Sequence, residues 1–423
     1  MTFREWTEWL RDLPWLLRWF PLLVVLRPLV DSLYFLKEVS PLASPPYLIG
    51  VLTPILAISA LVKFRYPPFG KVDKAFMHWS IIVLLNCFFL LLYDPLSILS
   101  IEFLLKLSLP VYLFFFLRLL VRDLRDLHGI LQSFLYAGIF IAAILLFEVL
   151  VNPIGVEESR GLQRIQGSFG DVVSYGMYIT FAITAATYFY FSRNHLLAQN
   201  KRLILIGVVA FFGILGLVNI HHTATYTVFL LITVLFLLFN LRKGSPSLAF
   251  AMIVIVGIAM SYFGSGIVEE KITPLIQTDL AVYSGDEDTD RLLHGRVGRW
   301  RVMLEQFSSE SVPVQFFGYP LKFDYVYQFI GIGSHNDFVR MLFATGILGL
   351  ILYVRLLFVV FRRNNLLGPA QRFLLYATFA ALLFYSISVT PTFYAPFMYF
   401  TMAVFAYTAL PENLRLQWKN REY

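Results

Sequence analysis

Long apolar runs separated by short polar stretches set the pattern of this chain. Runs close to the roughly 20 residues that a helix needs to cross a bilayer core fall near 45–62, 77–95, 98–120, 128–150, 172–191, 203–220, 223–240, 247–265, 337–361, 371–389 and 393–410. A further candidate, 14–36, is interrupted by Arg18 and Arg27. The pattern predicts an all-α integral membrane protein with about twelve transmembrane helices. No repeat and no polar stretch long enough for a soluble domain interrupts it, so 1–423 reads as a single polytopic membrane domain.

Basic residues then orient the spans. One set of loops carries Lys63, Arg65, Lys71 and Lys74, then Arg118, Arg122 and Arg125, then Arg193, Lys201 and Arg202. It continues through Arg242 and Lys243, Arg362, Arg363 and Arg372, to a tail with Arg415, Lys419 and Arg421. The alternate loops Tyr93–Ser97, Asn219–Ala224 and Val389–Thr392 are nearly free of Lys and Arg. The positive-inside rule places both termini in the cytoplasm, provided that 14–36 is a span. Two connections fall on the outer side, a short loop over 151–171 and a large one over 266–335, whose length marks it as functional. Within the large loop, Thr278–Asp290 is acidic and polar and reads as partly mobile, whereas Arg299–Phe307 has helical periodicity and is expected to lie along the membrane surface.

Composition agrees with this picture. The chain is 58% hydrophobic and 14% charged, against about 25% charged in a soluble protein. Its net charge of +7 is explained by cytoplasmic Lys and Arg, and no nucleic-acid partner is expected. The single cysteine, Cys87, excludes an internal disulfide and a cysteine-based metal site. The amphipathic N-terminus lacks a cleavage site after an apolar core and is expected to be retained.

Polar residues inside the spans collect at one level near the outer surface: Arg27 and Asp31, Glu102 and Lys106, Glu148, and His221 with His222. That level points to a polar cavity open to the outside and sealed below; a transporter places such groups nearer the midplane. Arg27–Asp31 and Glu102–Lys106 are also i,i+4 pairs able to neutralise each other.

Three outer segments carry candidate chemistry. Arg160–Asp171 (RGLQRIQGSFGD) brings Arg160 and Arg164 beside Gly167 and Gly170. A guanidinium fork suits a phosphate or diphosphate, though an arginine there also fits snorkelling to lipid headgroups. His294–Arg301 (HGRVGRWR) concentrates Arg296, Arg299 and Arg301, which fits an anionic ligand or pairing with Asp286–Asp290. The third segment, Ser334-His335-Asn336-Asp337 followed by Arg340, sits where an apolar run begins. Ionisable groups at that depth mark a site by default. His335 is able to take a proton from a hydroxyl or only to cap the helix, and Asn336 and Asp337 are both good N-caps. There is no Gly-x-Ser-x-Gly elbow, Walker loop or HExxH, the histidines lack zinc-ligand spacing, and no metal or cofactor is expected.

The order of these segments resembles the O-antigen ligase and polymerase superfamily. Arg164-Ile165-Gln166-Gly167-Ser168-Phe169 is similar to that family's Arg-x-x-Gly-x-Phe. Gly295-Arg296 with Trp300 resembles Gly-Arg-x-x-x-Trp. His335-Asn336 with the downstream Gly346-Ile347-Leu348-Gly349 resembles its His-Asn block and Gly-x-x-Gly. The likeness covers residues 160–355; where the family often has Ser-Arg, this chain has Ile220-His221-His222-Thr223.

The resemblance implies a GT-C-like glycosyltransferase of the bacterial inner membrane with its active site facing the periplasm. It would be metal-independent and inverting, with an undecaprenyl-diphosphate-linked glycan as donor. Arg164 and Arg296, with Arg160 and Arg299 beside them, would hold the diphosphate, and His335 would be the general base. His221, His222, Asn336, Asp337 and Arg340 remain acceptor-binding or supporting candidates. The acceptor would be a second glycan (a polysaccharide polymerase, favoured by Asp337 after the His-Asn pair) or lipid A–core (a ligase). Membrane lipids and a chain-length regulator protein would be partners. A flippase for the same lipid-linked sugar is the rival from another class; it needs polar inner halves, which here are apolar apart from residues such as Arg355.

Overall fold

The structure is a computed structural model that describes residues 2–36, 44–93, 98–151, 156–159, 162–165, 169, 171–192, 204–205, 207–209, 211–212, 220, 222–242, 273–322 and 334–411. Its helices are α1 (Phe3–Asp12), α2 (Trp15–Asp31), α3 (Pro45–Lys63), α4 (Lys71–Tyr93), α5 (Ile98–Leu120) and α6 (Leu124–Leu150). After a short antiparallel hairpin, β1 (Val156–Ser159) and β2 (Leu162–Ile165), come α7 (Val172–Phe191), α8 (Thr223–Arg242), α9 (Thr273–Ser284), α10 (Leu292–Ser308) and α11 (Val312–Phe317). The chain closes with α12 (Asp337–Phe361), α13 (Pro369–Ser388) and α14 (Ala395–Thr408).

Eight described helices, α3 to α8 with α12 and α13, are long and apolar enough to cross a membrane, which makes this a multi-pass helical membrane protein. The expected runs at 14–36 and 393–410 form shorter helices, 17 residues in α2 and 14 in α14. α2 begins on schedule behind its N-cap Pro14 and ends early, at Asp31, whereas Pro391 opens a 3-10 turn that delays the start of α14. The run at 247–265 and most of 203–220 lie outside the described residues. In the large loop, Thr278–Asp290 takes up the end of α9 and a 3-10 turn capped by Asp288, and the expected helix at Arg299–Phe307 extends over all of α10.

The middle of the bundle is α7, 94% of whose span is buried, against α6, α8, α13 and α14. Its threonines suit that position, because Thr180, Thr184 and Thr187 return their hydroxyls to carbonyls four residues earlier and leave no donor stranded. At one end of the bundle the starts of α4 and α6 and the end of α5 meet. There Arg118 Nε donates to Asp73 Oδ1 at 2.8 Å and Tyr66 Oη donates to the same oxygen at 3.1 Å. Trp6 and Trp9 of α1 pack on α6, with Trp9 Nε1 donating to Asp126 Oδ1 at 2.8 Å.

The opposite end is tied together by polar side chains. Tyr178 Oη donates to Asp31 Oδ2 at 2.6 Å, Tyr394 Oη to Asp171 Oδ2 at 2.7 Å, and Thr392 Oγ1 to Asp337 Oδ1 at 2.6 Å. The loop helices also dock here. Gly346 interrupts α12 with φ 68°, and a Cβ on it would lie 2.2 Å from the Phe316 carbonyl oxygen. Gly318, at φ 98°, faces the same contact: a Cβ there would be 2.8 Å from the Ala344 carbonyl carbon. Only glycine permits that backbone and that approach. Gly346, the first glycine of the Gly-x-x-Gly, therefore seats α11 on α12, whereas Gly349 faces Thr345 and Ile82 of α4.

Candidate functional site

The periodicity of α10 explains the spacing of its arginines. Trp300, Met303 and Phe307 lie at i, i+3 and i+7 and so share one face, and Met303 and Phe307 are buried. Phe307 packs on Phe343 of α12 with ring centroids 5.2 Å apart. Trp300 Nε1 donates to the Ser334 carbonyl oxygen at 2.7 Å, pinning α10 to the residue before His335. Arg296, four residues before Trp300, sits one turn further along the same face, with Arg299 beside it. The Gly-Arg-x-x-x-Trp spacing thus delivers a guanidinium to the His335 loop. Gly295 supplies the bend that aims it, with φ 77°.

Asn336 holds the other side. Its Oδ1 accepts from Phe338 N at 2.9 Å and Val339 N at 3.1 Å, so Asn336, not Asp337, is the N-cap of α12. Asp337 and Arg340 are buried and face each other, Arg340 Nη2 donating to Asp337 Oδ1 at 2.6 Å. Arg340 also donates to Thr392 Oγ1 and lays its guanidinium 3.5 Å over the Phe393 ring. This pair props the start of α12 and offers no free surface to an acceptor.

Between these supports His335 is open to solvent over part of its surface and takes φ 43°. Among the described residues the only non-glycine positions with positive φ are His335 and Leu293, and both belong to this site. Such backbone costs on the order of 1–3 kcal/mol and persists where its surroundings hold it, commonly at functional positions. Partial burial lowers the pKa of His335 below its ordinary 6.5, and the nearby charges of Arg296 and Arg299 lower it further. The imidazole is therefore neutral at physiological pH, with its lone pair free to accept a proton. Arg296 is held below its ordinary value by burial and by Arg299, with Asp279 acting in the opposite sense, and it stays cationic. Pairing with the acidic segment claims only part of the basic cluster: Arg301 bridges to Asp290, and Arg291 to Glu287 at 2.6 Å. Neither Arg296 nor Arg299 has an ion pair among the described residues.

The other candidates separate. Arg164 lies on β2 with its backbone paired to Glu157, but its side chain, like all of Arg160 and His221, is outside the described residues. His222 is buried: its Nδ1 lies 2.9 Å from Thr225 Oγ1, which in turn is 3.0 Å from Tyr385 Oη. It belongs to the packing of α8 against α13. The two ion pairs expected from i,i+4 spacing are formed, Arg27–Asp31 at 2.7 Å and Lys106–Glu102 at 2.6 Å. They line a cavity of about 480 Å³ at the same end of the bundle, together with Phe169, Asp171, Phe393 and Tyr394. Arg296, Arg299 and His335 are not among its lining residues. Sequence reasoning missed Thr392 and Phe393, which support Arg340; Thr392 ends the Lys- and Arg-free loop that served only to orient the spans, and Phe393 was read as the first residue of a span. No family model and no curated protein sequence matches the chain.

Proposed function

We propose that this protein is a membrane glycosyltransferase that polymerises polysaccharide repeat units from a lipid-diphosphate donor. The observation that carries the reading is His335, held at φ 43° beside Arg296 and Arg299, with an imidazole whose pKa is lowered by partial burial first and by those two charges second. A neutral base next to guanidinium groups that have no ion pair among the described residues answers both needs of metal-independent glycosyl transfer. The acceptor hydroxyl oxygen attacks the anomeric carbon, its proton passes to the His335 imidazole, and the bond from that carbon to the diphosphate oxygen breaks. The electron pair leaves with the lipid diphosphate, whose growing charge Arg296 and Arg299 stabilise. Arg164 joins them through the motif likeness noted above. One displacement inverts the anomeric carbon. The reading places the site on the periplasmic side of a bacterial inner membrane, with both termini in the cytoplasm.

The test is transfer by purified protein in nanodiscs supplied with a lipid-linked repeat unit. His335→Ala is expected to lower turnover by roughly 10²–10⁴-fold while donor binding stays close to wild type. Wild-type turnover in that variant removes His335 from the chemistry. Chain lengthening with lipid-linked repeats alone identifies a polymerase; transfer that appears only when lipid A–core is added identifies a ligase. Movement of donor across the bilayer without transfer identifies a flippase.

A further inference from the structure

The cavity of about 480 Å³ is not used by the reaction above, yet it falls within the roughly 300–1,000 Å³ of small-molecule sites. Its charges nearly cancel. Arg27 and Lys106 stand against Asp31, Glu102 and Asp171, so its formal charge is slightly negative and repels a diphosphate. Aromatic side chains supply much of the remaining wall, among them Tyr47, Tyr112, Phe169, Phe393 and Tyr394. Rings that meet an apolar C–H face, set among charged groups that hydrogen-bond hydroxyls, suit a sugar ring. Arg27 adds a second observation: it is only 8% exposed, and its Nη1 has no hydrogen-bond partner among the described residues. Buried donors of this kind are normally satisfied, by protein or by ordered water.

The cavity also adjoins the His335 site. Its Phe393 carries the Arg340 guanidinium at 3.5 Å, and neighbouring Thr392 donates to Asp337, two residues after His335, at 2.6 Å. Its Phe169 closes the segment that begins at Arg164, and the Tyr394–Asp171 hydrogen bond of 2.7 Å joins the two walls. We infer that this cavity is a binding site for an uncharged sugar residue of the acceptor glycan. The sugar is held by the aromatic wall and the two ion pairs, and the chain extends from it toward His335. The acceptor role rests on the transferase reading; sugar binding does not.

Gly50 permits a selective test. It lines the cavity, and a Cβ added to it meets nothing within 4 Å. Gly50→Leu therefore fills the cavity, and Gly50→Ala controls for the backbone. Saturation-transfer NMR on protein in nanodiscs uses glucose, N-acetylglucosamine and rhamnose as probes, with inorganic pyrophosphate as competitor. At least one sugar is expected to give a signal that persists in Gly50→Ala and in His335→Ala. In Gly50→Leu its affinity is expected to fall roughly tenfold or more, while pyrophosphate leaves it unchanged. No signal from any of the three sugars, or an equal signal in Gly50→Leu, overturns the inference. Displacement of the sugar by pyrophosphate does so as well and gives the cavity to the donor. In the transfer assay Gly50→Leu is expected to raise the acceptor KM at nearly constant kcat. An active His335→Ala variant that still binds sugar would remove the mechanism and leave the sugar site standing.

Discussion

His335 draws its chemistry from its neighbours. A lowered pKa means that the imidazole becomes protonated only when the pH falls below the lowered value, so kcat/KM should hold through pH 6.5 and fall in more acidic buffer. Arg296→Gln removes one cation from that field. The His335 pKa should then rise toward 6.5, and the acidic limb of the profile should move to higher pH. An unmoved limb would show that His335 does not feel Arg296. Arg296→Lys keeps the charge and loses the fork, and kcat/KM is expected to drop by roughly 10²–10³-fold, as when one transition-state donor is removed. The arginines and the histidine were legible as residue types at given positions. That Asp290 takes Arg301 and leaves Arg296 and Arg299 was not, because all three read alike in HGRVGRWR.

The site is only as precise as the docking of α10 and α11 on α12. Gly346→Ala places a side chain in left-handed backbone, on the order of 1–3 kcal/mol, and drives its Cβ against the Phe316 carbonyl. A lower melting temperature and new proteolytic cleavage within 292–317 are expected; wild-type resistance would mean that the loop helices are held elsewhere. The Asp337–Arg340 pair works at the same level. Asp337→Leu alone strands a buried guanidinium, a loss of about 3–5 kcal/mol, whereas Asp337→Leu with Arg340→Met should recover much of it. Thermal unfolding of both variants in one detergent reads the difference. Hydrophobic runs foretold these helices because a span needs little beyond length and apolarity. An end shifted where proline decided it, as at Pro391 before α14, whereas Asn336 caps α12 where the apolar run begins.

At the scale of the molecule, the chain divides into a basic end and an end that carries the ion pairs, the cavity and the His335 site. Its orientation in a cell is directly testable, because Cys87 is the only cysteine. In a Cys87→Ser background, Tyr283→Cys, at a position 93% exposed in the last turn of α9, should react with a membrane-impermeant maleimide in intact bacterial spheroplasts. Arg65→Cys, beyond the end of α3, should react only after lysis. The reverse pattern would turn the protein over and place its site in the cytoplasm.

What the sequence determined by itself is the membrane class, most of the described spans, the shared level of the ion pairs and the residue types available for transfer chemistry. Each follows from local rules: apolar length, loop charge and i,i+4 spacing. Tertiary structure decided which of those residues meet. It separated His222, buried in helix packing, from His335. It also brought Thr392 and Phe393 under Arg340 from more than fifty residues away. Such contacts depend on how helices dock, and docking here turns on single backbone approaches such as Gly346 against Phe316, whose partner no local pattern of residues names.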